Sequence, residues 1–234
     1  PGSGGGVRVS VVLLLQHPEK AIIVTDTIAT DRSIGDRLQP SRFGMKLWTL
    51  PHMNMAFSFR GVSVLAHVWH HHLTDVAKCQ DIEDVREEAD ESLRNLVKQA
   101  ALDHGYAVSG EFVHLGFPHG SDRIVQYTYR SDTDYQCEAL EVPESNDDDA
   151  ANVAFFMAPG PVTFAPTHIP DDVAGFVDLV SRMRDEGARE LDEDPIAIGG
   201  DLFATYVENW KIRTVLWHRF PDYDTTWQTI REGR

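Results

Sequence analysis

Ala21-Ile22-Ile23-Val24-Thr25-Asp26-Thr27-Ile28-Ala29-Thr30 is the stretch on which the fold turns. Its first five residues are apolar or β-branched without alternation, the mark of a strand covered on both faces. Upstream, Val7 to Gln16 reads as a second β-branched strand, and His17-Pro18-Glu19-Lys20 supplies the turn between the two. Downstream, a polar loop is expected from Asp31 to Arg42. Lys46 to Leu50 and Met55 to Phe59 then form another pair of strands about Pro51-His52-Met53-Asn54.

Helices follow these strands. Val62 to Lys78 is expected to be the first. From Ile82 the apolar positions Val85, Ala89, Leu93, Leu96, Val97 and Ala100 recur every three or four residues, one stripe of a helix that Gly105 stops. Strands return at Phe112 to Phe117, Ile124 to Arg130, Tyr135 to Val142 and Val153 to Met157. A further helix runs from about Asp171 to Leu191, and Asp201 to Val207 with Ile212 to Arg219 closes the chain as a hairpin. Strands joined by hairpins make antiparallel sheets, and amphipathic helices must cover them. The expected class is α+β, a four-layer αββα sandwich of two antiparallel sheets. Residues 1–6 read as a tag scar or flexible lead, and 7–234 as one domain.

Composition narrows the function. The 234 residues hold 21 Lys and Arg against 37 Asp and Glu, a formal charge of −16. Such a surface repels phosphate backbones and anionic lipid heads, so neither nucleic acid nor membrane is an expected partner. The longest apolar run, Val11 to Leu15, falls far below the roughly 18 residues of a membrane span. Two cysteines, Cys79 and Cys137, are too few for a disulfide framework and suit the cytoplasm. His67 and His71 share a helix face, but Ala66-His67-Val68-Trp69-His70-His71-His72 lacks the glutamate of metallopeptidase helices. No metal or other cofactor is expected. Trp210, Trp217 and Trp227 read as core or assembly residues.

The segment Asp26-Thr27-Ile28-Ala29-Thr30 resembles the Asp-x-x-Ala-Thr segment of proteasome β subunits and of the bacterial two-ring (HslV-type) peptidase, whose fold is that of the N-terminal nucleophile hydrolases. Lys46, twenty residues later, opens a strand as that family's active-site lysine does. Arg60-Gly61 runs from strand to helix where the family has a glycine turn, and Ile198-Gly199-Gly200-Asp201 is similar to its Ser-Gly-Gly approach to the last strands. The resemblance implies peptide-bond hydrolysis by Ser10, sixteen residues before Asp26, once processing frees its α-amine. That amine would take the hydroxyl proton, Lys46 held by Asp26 would stabilise the alkoxide, and the Gly61 N–H would receive the oxyanion. Thr30 would pair with the backbone of a peptide or protein substrate, and the chain would self-associate into a homo-oligomeric ring.

The pattern departs at Val9, where the family has glycine, at Arg60, also a glycine there, and at Ile198, in place of a hydroxyl residue. A catalytically incompetent subunit forming an oligomeric shell or binding module is therefore the alternative. Ser10 is also readable as a core serine, Asp26 and Lys46 as a buried ion pair, Thr30 as a loop residue and Gly61 as a packing glycine.

Overall fold

The computed structural model describes residues 12–31, 39–105, 108–140, 153–157, 172–190 and 198–232. The order of elements is β1 (Val12–His17), β2 (Lys20–Asp26), β3 (Ile28–Asp31), β4 (Gln39–Phe43), β5 (Leu47–Leu50), β6 (Met55–Gly61), α1 (Ser63–His71) and α2 (Ile82–His104). Then come β7 (Gly110–Gly116), β8 (Val125–Arg130), β9 (Glu138–Leu140), β10 (Val153–Met157), α3 (Val173–Glu190), β11 (Asp201–Glu208), β12 (Lys211–Arg219) and α4 (Tyr223–Glu232). One five-stranded sheet runs β10-β1-β2-β11-β12 and another runs β5-β6-β7-β8-β9, with β3 and β4 paired on their own. Every pairing is antiparallel. The mixed class expected from the sequence is therefore the observed one.

Alternation along the strands sorts their side chains. Leu13 and Val24 point toward Phe176, Leu179 and Val180 of α3, whereas Val12, Leu14 and Ile23 share a cluster with Leu47, Ala56, Val113 and Leu115 of the other sheet. Met55, Phe57 and Phe59 turn the other way, onto Leu65 and Trp69 of α1 and Val85, Ala89 and Leu93 of α2. Each such side chain contributes roughly 1.5–3 kcal/mol by leaving water. Inside the α1–α2 cluster the Trp69 indole N–H donates to His114 Nε2 at 2.8 Å. That histidine is fully buried, and burial pushes its pKa down to about 3.

Helix limits follow local chemistry. The side chain of Asp81 accepts from the Glu83 and Asp84 N–H groups and caps α2, which Gly105 ends in the left-handed conformation. Val62 to Lys78 is not one regular helix. α1 passes at His72 into a π turn to Val76, with the Thr74 hydroxyl donating to the carbonyl of His70. Two elements lie where a loop and a tail were expected: β4 begins inside the polar stretch after Asp31, and α4 follows the last hairpin.

The two large sheets are tied away from Asp26. Gln16 Nε2 donates to the Ile124 carbonyl at 3.3 Å, the Ile124 N–H donates to the Pro18 carbonyl at 2.7 Å, and Asn54 Nδ2 donates to Asn209 Oδ1 at 3.3 Å. All three lie beside the β1–β2 turn or the start of β6, the ends opposite Asp26 and Gly61.

Candidate active site

Asp26 is the last residue of β2, and Lys46 directly precedes β5. Lys46 is fixed there because its carbonyl accepts both the Phe59 N–H at 3.2 Å and the Ser58 hydroxyl at 2.8 Å. Its side chain crosses between the large sheets, and Nζ donates to Asp26 Oδ1 at 2.5 Å. The Asp26 side chain is wholly buried and that of Lys46 is 9% exposed. The second carboxylate oxygen of Asp26 accepts the Gly199 N–H at 3.2 Å.

Thr27 holds this corner together. Its N–H donates to the Gly199 carbonyl at 3.3 Å, its carbonyl accepts from the Gly44 N–H at 2.8 Å, and its hydroxyl accepts from the Asp201 N–H at 2.9 Å. Three segments distant in sequence thus meet around one threonine. Gly200 adopts φ +77°, and a Cβ there would stand 2.8 Å from the Phe43 ring. The close approach that seats Asp26 against residues 199–201 therefore needs glycine.

Burial is the first cause acting on the Lys46 ammonium and lowers its pKa from the ordinary lysine value. The Asp26 charge and hydrogen bond act in the opposite sense without cancelling it. The result is a cation with little water that gives up its proton more readily than a surface lysine.

Of the residues singled out from sequence, Asp26 and Lys46 are in direct contact. Gly61 ends β6, two residues beyond the Phe59 that bonds to Lys46. Its φ is +144°, and a Cβ would meet Phe59 Cζ at 2.6 Å and the Ser109 carbonyl at 2.7 Å, so packing alone demands glycine here. Thr30 is half-buried on β3, opposite Pro40 of β4, on the separate hairpin. Ser10 lies outside the described residues. Arg60 is half-buried beside Gly61 and faces Glu111 across the β6–β7 ladder. Ile198 is buried with Leu202 against α3, an apolar role in place of a hydroxyl one. The parts that sequence reasoning missed are Thr27 and the Gly199 N–H. Both act through partners more than 170 residues away, which no local pattern announces.

Among the described residues, no group of three His, Cys, Asp or Glu side chains is placed to hold a metal. His67 Nδ1 pairs with the Ser63 carbonyl and His71 Nδ1 with Asp75 Oδ2, each within its own helical turn. No helix of the described residues is long and apolar enough to cross a membrane.

No protein-family profile and no curated protein sequence matches the chain. Solved structures do. Anbu (ancestral beta-subunit) from Yersinia bercovieri aligns with TM-score 0.57 at 11% identity, over 95% of this chain and 92% of that one. An Anbu (Gly-1) mutant from Hyphomicrobium sp. strain MC1 aligns with TM-score 0.55 at 12% identity, over 95% and 93%. These neighbours correct the family suggested by sequence. The likeness is to Anbu, a proteasome-like fold distinct from the two-ring HslV type. The physical reason is that the quoted stretches are few and short: they fix where strands meet around Asp26, Lys46 and Gly199, which is a matter of architecture rather than of one family's sequence. At such identity the likeness establishes the architecture, and the chain has a proteasome-like fold.

Proposed function

We propose that the chain is a proteasome-like subunit that hydrolyses peptide bonds once processing frees Ser10. One observation carries this reading: the buried contact of Lys46 with Asp26, locked by the Gly199 N–H, is the lysine–carboxylate arrangement that such chemistry uses. In the proposed reaction the α-amine of Ser10, with an ordinary pKa of about 7.7–8.0, accepts the hydroxyl proton. The Oγ attacks the substrate carbonyl, and the adjacent positive charge of Lys46 stabilises the developing alkoxide. The Gly61 N–H receives the oxyanion, a contribution of roughly 2.7–4 kcal/mol. The protonated amine returns its proton to the leaving nitrogen, and water then releases the acyl group from Oγ. An extended peptide would lie along β3 and pair at Thr30.

The three apolar clusters support the finer architecture: one domain over 7–234, with α1 and α2, two facing sheets, and α3 as four layers. Self-association into a ring follows by analogy with a protein titled a beta-subunit. Two free cysteines suit a reducing cytoplasm.

Intact-mass analysis after treatment with a hydroxyl-directed peptide electrophile tests the chemistry. The expected product is a chain beginning at Ser10 and carrying one label. A chain that keeps its upstream residues and takes no label would overturn it. If that chain still forms a stable oligomer by light scattering, the non-catalytic shell gains, a reading favoured by the bulk of Arg60 beside Gly61.

A further inference from the structure

α4 was not expected from the sequence, and its packing lies close to the candidate site. Phe43, the last residue of β4, stacks on Tyr223 with ring centroids 4.6 Å apart and planes 3° from parallel. Trp227, one turn further along α4, covers the same ring at 5.9 Å. The guanidinium of Arg219 lies over the Tyr223 ring, 4.0 Å from its centroid, and forms a two-point contact with Asp201, at 2.7 and 3.1 Å. Asp201 in turn donates its N–H to the Thr27 hydroxyl, and the Phe220 N–H donates to the Gly200 carbonyl at 2.9 Å. Phe43 is next to Gly44, whose N–H holds the Thr27 carbonyl. These contacts form a closed loop: α4 to β4, β4 to Thr27, Thr27 to Asp201, Asp201 to Arg219, and Arg219 back to α4.

The consequence concerns β3 and β4. This two-stranded sheet belongs to neither large sheet. Two strands alone are marginal in water. Residues 39–43, Gln-Pro-Ser-Arg-Phe, have little strand propensity of their own. Phe43 is the one large apolar side chain they offer, and α4 is what receives it. The Arg42 guanidinium also reaches the Ser63 hydroxyl at the start of α1.

We propose that α4 is a brace that sets the position of the β3–β4 hairpin, with Phe43 and Tyr223 as positioning residues for the strand edge carrying Thr30. The inference rests on the reading that this edge binds an extended peptide. Phe43 and Tyr223 act through the hairpin and through Thr27.

Hydrogen exchange on the full chain tests the brace without requiring activity. In Tyr223→Ala the amides of β3 and β4 should exchange faster by roughly 2- to 10-fold, the value of one aromatic pair, while those of β6 and β7 keep their rates. Tyr223→Phe retains the ring and should restore protection. Phe43→Leu, which keeps apolar bulk but loses the stack, should match Tyr223→Ala in the hairpin. Unchanged exchange in β3 and β4 for both Tyr223→Ala and Phe43→Leu would overturn the brace. So would equal acceleration in β6 and β7, which would mean general destabilisation. With a peptide substrate, KM should rise several-fold in Tyr223→Ala and kcat should hold. Faster hairpin exchange in a protein that cleaves no peptide supports the brace and removes the peptidase reading, so the two fail separately.

Discussion

Lys46 and Asp26 face each other at 2.5 Å where almost no water reaches, so each offsets much of the cost of burying the other's charge. Removing one member takes away the other's counter-charge inside the fold, a loss of about 3–5 kcal/mol. Lys46→Met should therefore lower the unfolding free energy in urea by about that amount. Lys46→Met combined with Asp26→Leu should lose less than the sum of the single changes, and additive losses would show that the two side chains are not coupled. His114 supplies the pH term at this scale. Its folded pKa is about 3 against an ordinary 6.5, because protonation would place a charge among Phe57, Phe112 and Tyr129. The unfolded chain binds this proton first, so stability is full above pH 6.5 and drains as pH falls from there toward 3. Between pH 7 and pH 5 the wild type should lose about 2 kcal/mol more than His114→Phe in paired urea titrations. Parallel losses in the two proteins would remove His114 from the account.

The elements show what could be read in advance and what could not. α2 was legible because Ile82, Val85, Ala89 and Leu93 all reach the core and Gly105 stops the helix. β1 and β2 were legible because their apolar runs are covered on both faces. α4 was hidden by Thr225 and Thr226, poor helix formers. It stands because Thr226 and Ile230 are buried, Phe43 packs on it and Arg184 binds Asp222 at its start. β4 was hidden by Pro40 and its polar neighbours. In the candidate site the order Asp26, Lys46, Gly61 identified two residues that meet, but the role of Thr27 depends on long-range backbone partners. Asp81 is the element-scale test. It caps α2 and also accepts the His119 N–H at 2.5 Å, joining the helix to the β7–β8 turn. Asp81→Ala should cost about 1–2 kcal/mol, readable as a lowered thermal midpoint, with faster exchange at both the first turn of α2 and residues 117–121. Acceleration confined to α2 would separate the two functions of the side chain.

At the scale of the whole molecule the fastenings between the large sheets differ in kind. Near Pro18 and Asn54 they are neutral hydrogen bonds, and near Asp26 a charged contact joins the same sheets. Lys46→Met should thus loosen one end and leave the other. Limited proteolysis should cut the variant first within residues 27–45, while fragments containing residues 16–20 and 124 stay associated. Simultaneous cutting at both ends would contradict this. The body therefore behaves like a book whose spine is stitched with uncharged thread and whose front cover closes on an ionic clasp. Substitution springs the clasp while the binding holds, and the pages that fall open first are the ones on which the proposed chemistry is written.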